Sequence, residues 1–196
     1  MTSLPPSHSE RIEGLLAKAE QLKIEGSYTD ALVILENILL EDPRNVAALE
    51  EIADNELSRE EFDRAFLAAE QAVTLEPESS IGHAVLGEIF MIRKEWELAC
   101  EHLQIANKLL PSHPDTLRLL GWSLFRSGKT VEGIVTLERA LNLDPDDSFI
   151  MCDLASAHME SGDAGKAKLL LDRAAAIDPL NETIREYREA AERMIA

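Results

Sequence analysis

The chain lacks the marks of export and of membrane residence. Ahead of Arg11 there is no basic stretch followed by the roughly 7 to 15 apolar residues of a secretory signal. Its greasiest stretches, 31–40 and 84–92, are broken by Glu36 with Asn37 and by Glu88, well short of the ~20 residues a membrane span needs. A soluble, cytoplasmic protein with no membrane insertion is expected. Cysteine is scarce too. Cys100 and Cys152 are the only two, which excludes a disulfide framework and a paired-cysteine zinc site, and both read as small packing residues in a reducing compartment. The five histidines, His8, His83, His102, His113 and His158, do not pair at helical metal-ligand spacing, so no metal is expected. No glycine-rich phosphate loop is present, and the connections are too short for a lid over a reacting centre. The chain therefore reads as a non-enzyme without a cofactor. Basic residues are few: 19 against 37 acidic ones, a formal charge of −18. That balance opposes binding to a phosphate backbone, so nucleic acid is not an expected partner. It keeps the chain soluble and speeds encounter with basic partners.

What the sequence does have is a strict period. Pro43, Pro77, Pro111, Pro145 and Pro179 stand 34 residues apart, and the surrounding pattern of small and large apolar residues recurs with them. A period of this length belongs to helix-turn-helix units, each with an apolar face that only its neighbours can bury. The repeats are 12–45, 46–79, 80–113, 114–147 and 148–181 within a single domain over 9–196; residues 1–8, with Pro5 and Pro6, read as a mobile tail. In the third repeat Val85, Leu86, Ile89 and Phe90 recur at helical spacing, and a second helix from Trp96 carries Ala99, Leu103 and Ala106 inward. Twenty-four residues before each proline stand Ala19, Ala53, Gly87, Gly121 and Ala155, and twelve before stand Ala31, Ala65, Ala99, Gly133 and Ala167. Small residues there let paired helices approach, so a bulky replacement at Gly121 or Ala99 should cost about 1 to 3 kcal/mol by overpacking. After Pro179, Ile184, Tyr187, Ala191 and Met194 share one helical stripe over 182–194, the pattern of a helix that caps the array.

With these positions in register over 12–181, the chain resembles the tetratricopeptide repeat (TPR) proteins. The resemblance implies an all-α fold, a right-handed superhelical solenoid of five antiparallel helix pairs with a C-terminal capping helix. The pattern departs from the family at Lys18, Glu56 and His158, where a large apolar residue is usual, and looser or wetter packing is expected there. The second repeat also has Glu60 in its turn, where the first, fourth and fifth have Gly26, Gly128 and Gly162, which makes it the expected weak link.

The family implies a concave groove, lined by the first helices, that receives a peptide or a helix of another protein. At matching offsets the groove residues fall into two zones. One is acidic: Glu13, Glu20, Glu50, Asp54 and Glu88. The other offers Met91, Ile92, Trp122, Phe125, Phe149 and Met159, with Arg118 and Arg126 able to take a carboxylate of the ligand. Trp122 is the strongest anchor candidate. In the competing reading Trp122 and Phe125 pack against neighbouring helices and Arg118 stacks on the indole. Relatives that clamp the acidic tails of heat-shock chaperones need Lys and Asn, then Asn, then Lys and Arg where this chain has Leu16, Glu20, Glu51, Ile81 and Val85, so that co-chaperone clamp is not expected. The leading expectation is a protein-binding adaptor or scaffold for an amphipathic or partly basic segment. The alternatives are a small acidic chaperone for a secreted or assembly-prone protein and a self-assembling scaffold.

Overall fold

The structure, a computed structural model, describes residues 7–195. Among the described residues there are eleven α-helices and no strand: α1 (His8–Ile24), α2 (Tyr28–Glu41), α3 (Val46–Ser58), α4 (Phe62–Leu75), α5 (Ser80–Ile92), α6 (Trp96–Leu109), α7 (Pro114–Arg126), α8 (Thr130–Leu143), α9 (Ser148–Glu160), α10 (Ala164–Ile177) and α11 (Glu182–Ile195). The fold class is an all-α helical repeat of the solenoid type. Over α1–α10 the odd-numbered helices open the repeats and the even-numbered ones close them, and α11 follows the last. The tail expected over 1–8 gives way sooner than the sequence indicates, because Ser7 and Glu10 form a capping box. Ser7 Oγ accepts from the Glu10 amide at 3.3 Å, and the Glu10 carboxylate accepts from the Ser7 amide at 2.7 Å. Residues 1–6 lie outside the described residues.

Two local devices set the repeat. Each closing helix ends one residue before its proline, at a residue that has left the helical region with φ between −122° and −133°, and in most repeats the residue two beyond that proline caps the next odd-numbered helix. Asn45 accepts from Ala48 N, Ser79 from Gly82 N, Asp147 from Ile150 N and Asn181 from Ile184 N. Each opening helix ends with one residue in the left-handed region: Gly26 (φ 77°), Glu60 (61°), Lys94 (61°), Gly128 (90°) and Gly162 (85°). The amide after it returns to a carbonyl five residues back, as in Ser27 N to Leu22 O and Glu61 N to Glu56 O, at 2.8 and 2.9 Å. Glu60 and Lys94 adopt the glycine conformation, so the turn survives in those repeats at a steric cost.

The chain divides into two compact bodies, one through Ile89 and one from Phe90. In the first, the small positions Ala19, Ala31, Ala53 and Ala65 are fully buried, as are Leu35 and Ile38, and Leu49 is nearly so. In the second, Leu119, Leu120 and Leu124 pack on Ala99, Cys100 and Leu103, and Leu117, Ala140 and Ile150 form a further cluster. α11 closes this body, with Ile184 against Met151 and Ala174, and Ala191 against Ala155, Ala167 and Leu171. At two of the three family departures the packing is tighter than the sequence predicts. Lys18 is exposed, but Glu56 is fully buried with its carboxylate 2.6 Å from Arg59 Nη1 and 2.8 Å from Arg64 Nε. His158 is also buried, its ring held in the neutral form because burial lowers its pKa.

Candidate functional site

In the first body α1 packs beside α3, and Glu13, Leu16 and Glu20 recur at helical spacing on one, Ala47 and Glu50 on the other. The structure brings these five together. With Ala17 and Glu51 they line a depression of ≈ 330 Å³ walled by four carboxylates. The wall is not bare charge. Glu50 accepts from Ser79 Oγ at 2.5 Å, and Lys23 Nζ sits 2.8 Å from both Glu51 and Asp54. Those two carboxylates raise the Lys23 pKa although burial opposes them. Glu88 lies half-buried on α5. The body carries six basic and 19 acidic residues, a net −13, so most of the charge of the chain resides here.

The second body has 13 basic and 18 acidic residues, a net −5, and α7 packs beside α9. Arg118 does not stack on Trp122. It pairs instead with Asp153 of α9 at 2.9 Å, and burial raises the Asp153 pKa while Arg118 restrains the rise. The stacking cation is Arg126, whose guanidinium carbon lies 5.3 Å from the Trp96 ring centre and 5.6 Å from that of Trp122. Phe125 departs from the solvent-facing expectation. It is only 9% exposed, packed with Leu137, Leu154 and Ala157, and it stacks behind the half-buried Trp122 at 5.7 Å. Its ring follows the buried Gly121 by one turn, so it leans toward the core.

Phe149 is 68% exposed at the start of α9, whereas Met159 near its end packs half-buried against the Ala155 and Leu171 cluster. The two are about 15 Å apart along the helix. Met91 packs with Leu119, Leu120 and Leu124, in a different cluster from Trp122. The apolar zone is thus a line of separate features rather than one patch. Cys152 lies nearby as a free thiol whose pKa burial pushes up to about 11, so it is a packing group and not a nucleophile at neutral pH. Trp96 and Asp153 are site residues that sequence reasoning missed, whereas Glu160 falls at a groove offset of the fifth repeat. Glu160 stands one period after Arg126, and Asp153 one residue more than a period after Arg118, a spacing that marks cross-repeat charge pairs.

Residues 124–190 match the tetratricopeptide repeat family model. Among solved structures, a thermophilic TPR protein of Thermus thermophilus is 22% identical, over 92% of this chain and 98% of its own, with a TM-score of 0.73. YrrB, described as a TPR protein with an unusual peptide-binding site, is 19% identical over 89% and 90% with a TM-score of 0.68. PilF of Pseudomonas aeruginosa is 18% identical over 95% and 89% with a TM-score of 0.75. At such identities the likeness is one of fold. No curated protein sequence matches the chain. No helix among the described residues is long and apolar enough to cross a membrane.

Proposed function

We propose that this chain, which matches the tetratricopeptide repeat family model over 124–190 and shares the fold of TPR proteins, is a protein-binding adaptor that takes an extended or helical segment of a partner on its opening helices. The observation that carries this reading is Trp122, half-buried on α7 with Phe125 stacked behind it and Arg126 at its face. An indole fixed in this way loses little conformational freedom on binding, and rigid aromatic anchors supply much of the affinity of such interfaces. Phe149, well out in solvent on the adjacent α9, is the second anchor. The carboxylate-lined depression between α1 and α3 suits a Lys- or Arg-bearing part of a partner, in keeping with a peptide-binding site in YrrB. The reading is of a scaffold that works through binding alone.

The test is affinity capture from native extract with wild type and a Trp122→Ala, Phe149→Ala variant. Phe125 is left in place because its loss would open the core. A partner retained by wild type and lost by the variant, at unchanged helix content, supports the reading. Equal capture by both contradicts it and moves binding to the closing helices.

A further inference from the structure

Arg126 differs from the other charged residues of this face in having its stacking satisfied and its hydrogen bonds unmade. Two indoles, Trp96 of α6 and Trp122 of α7, hold its guanidinium at 5.3 and 5.6 Å. The nearest carboxylate oxygen, from Glu160, is 3.7 Å away, too far for a hydrogen bond, and no hydrogen bond joins the Arg126 side chain to a described residue. Arg118 is the contrast, with Nη1 donating to Asp153 at 2.9 Å. A guanidinium over an aromatic face keeps the fork of N–H donors along its edge for an acceptor. Arg126 also lines a cavity of ≈ 580 Å³, with Phe125, Thr130, Glu160 and Ser161. Two hydroxyls and one guanidinium therefore border one polar space, against a single exposed carboxylate.

We propose that the Trp96–Arg126–Trp122 stack is a preorganised receptor for a carboxylate of the bound segment, taken by the Arg126 edge in the cavity shared with Thr130 and Ser161. The inference rests on the binding face described above and adds the chemical class of one contact. The indoles fix the side chain before the ligand arrives, which removes the ordering cost a free arginine would meet. Glu160 is the internal competitor: it holds the same cation loosely and repels an incoming anion. The low net charge of this body leaves room for one acidic group on a partner that is otherwise basic or apolar.

A synthetic library of random octapeptides with free C-termini, selected on the immobilised full-length protein, provides the probe. The best binder is titrated by fluorescence anisotropy as the free acid, as the C-terminal amide, and with each Asp or Glu replaced by Asn or Gln. One of these neutral forms should bind about tenfold or more weakly, and which one identifies a terminal or a side-chain carboxylate. In Arg126→Gln the acid and neutral forms should bind alike. Glu160→Gln should tighten the acid form only, an effect that a merely structural arginine would not give. A binder without a required carboxylate, or discrimination that survives Arg126→Gln, overturns the proposal. If Phe149→Ala weakens binding while Arg126→Gln leaves discrimination intact, the binding face stands and the carboxylate receptor falls. If discrimination needs Arg126 but Phe149→Ala and the α1–α3 carboxylates are without effect, the receptor stands and the wider face falls.

Discussion

Glu56 shows what a buried carboxylate requires in this fold. It has no solvent exposure, and two arginines from the following turn and helix, Arg59 and Arg64, neutralise it at 2.6 and 2.8 Å. Glu56→Ala empties a buried site and takes one carboxylate from Arg59, while the exposed Arg64 keeps Glu36 at 3.1 Å, and a loss of about 1–3 kcal/mol is expected in urea unfolding. His158 makes a prediction of the opposite charge type. Its pKa is lowered chiefly by burial, with Lys166 adding to the effect and Asp163 and Glu138 opposing it. The unfolded chain then takes up this proton first as pH falls. The stability gained from a neutral His158 is complete above the unfolded value of about 6.5 and is lost as pH drops through the lower folded one. Between pH 7.5 and 5.5 the unfolding midpoint of wild type should fall more than that of His158→Gln. Neither residue's burial was legible in the sequence, because an ionisable side chain at a core position reads as wetness until its partners are placed. The fate of Phe125 was half legible: its place one turn after the small Gly121 favours the core, but groove and core positions lie close together on a helix of this width.

The two glycines at the α7–α8 crossing separate close approach from mere turn flexibility. A Cβ on Gly133 would stand 2.6 Å from Phe125 N and 2.7 Å from Gly121 O, backbone atoms that cannot rotate away. Gly133→Ala should therefore cost about 1–3 kcal/mol, where Gly14→Ala, with nothing within 4 Å in the interior of α1, should gain about 0.5–1 kcal/mol by helix propensity. Thermal melts of the two variants moving in the same direction would refute this account. The turns give a second contrast. Glu60 holds a φ of 61°, so Glu60→Gly should stabilise the second repeat by up to about 1 kcal/mol, whereas Gly128→Glu at φ 90° should destabilise the fourth. The helices and the small positions at their crossings were legible because a 34-residue period repeats them five times in register. The caps two residues beyond the prolines were equally open to reading, since Asn45, Ser79, Asp147 and Asn181 are strong cap formers, although His113 breaks the series.

At the scale of the molecule, the charge is uneven: −13 in the body through Ile89 and −5 in the body from Phe90. The period carries no information about this division, because both bodies are made from the same unit. α11 belongs to the second body, where it buries its own Ile184 and Ala191 and ties Arg188 to Asp172 at 2.7 Å. Removing residues 182–196 should expose Met151, Ala174 and Leu171 and lower the melting temperature, and an unchanged melt would deny α11 its covering role. The central claim is that the opening helices receive the partner. Hydrogen–deuterium exchange of the full chain, with and without the captured partner segment, tests it most directly. The account predicts new protection centred on α7 and α9, reaching at most the first turns of α6 and α8 at Trp96 and Thr130, with α1 and α3 joining when the segment is basic. Protection on α8 and α10, with α7 and α9 unchanged, would contradict it.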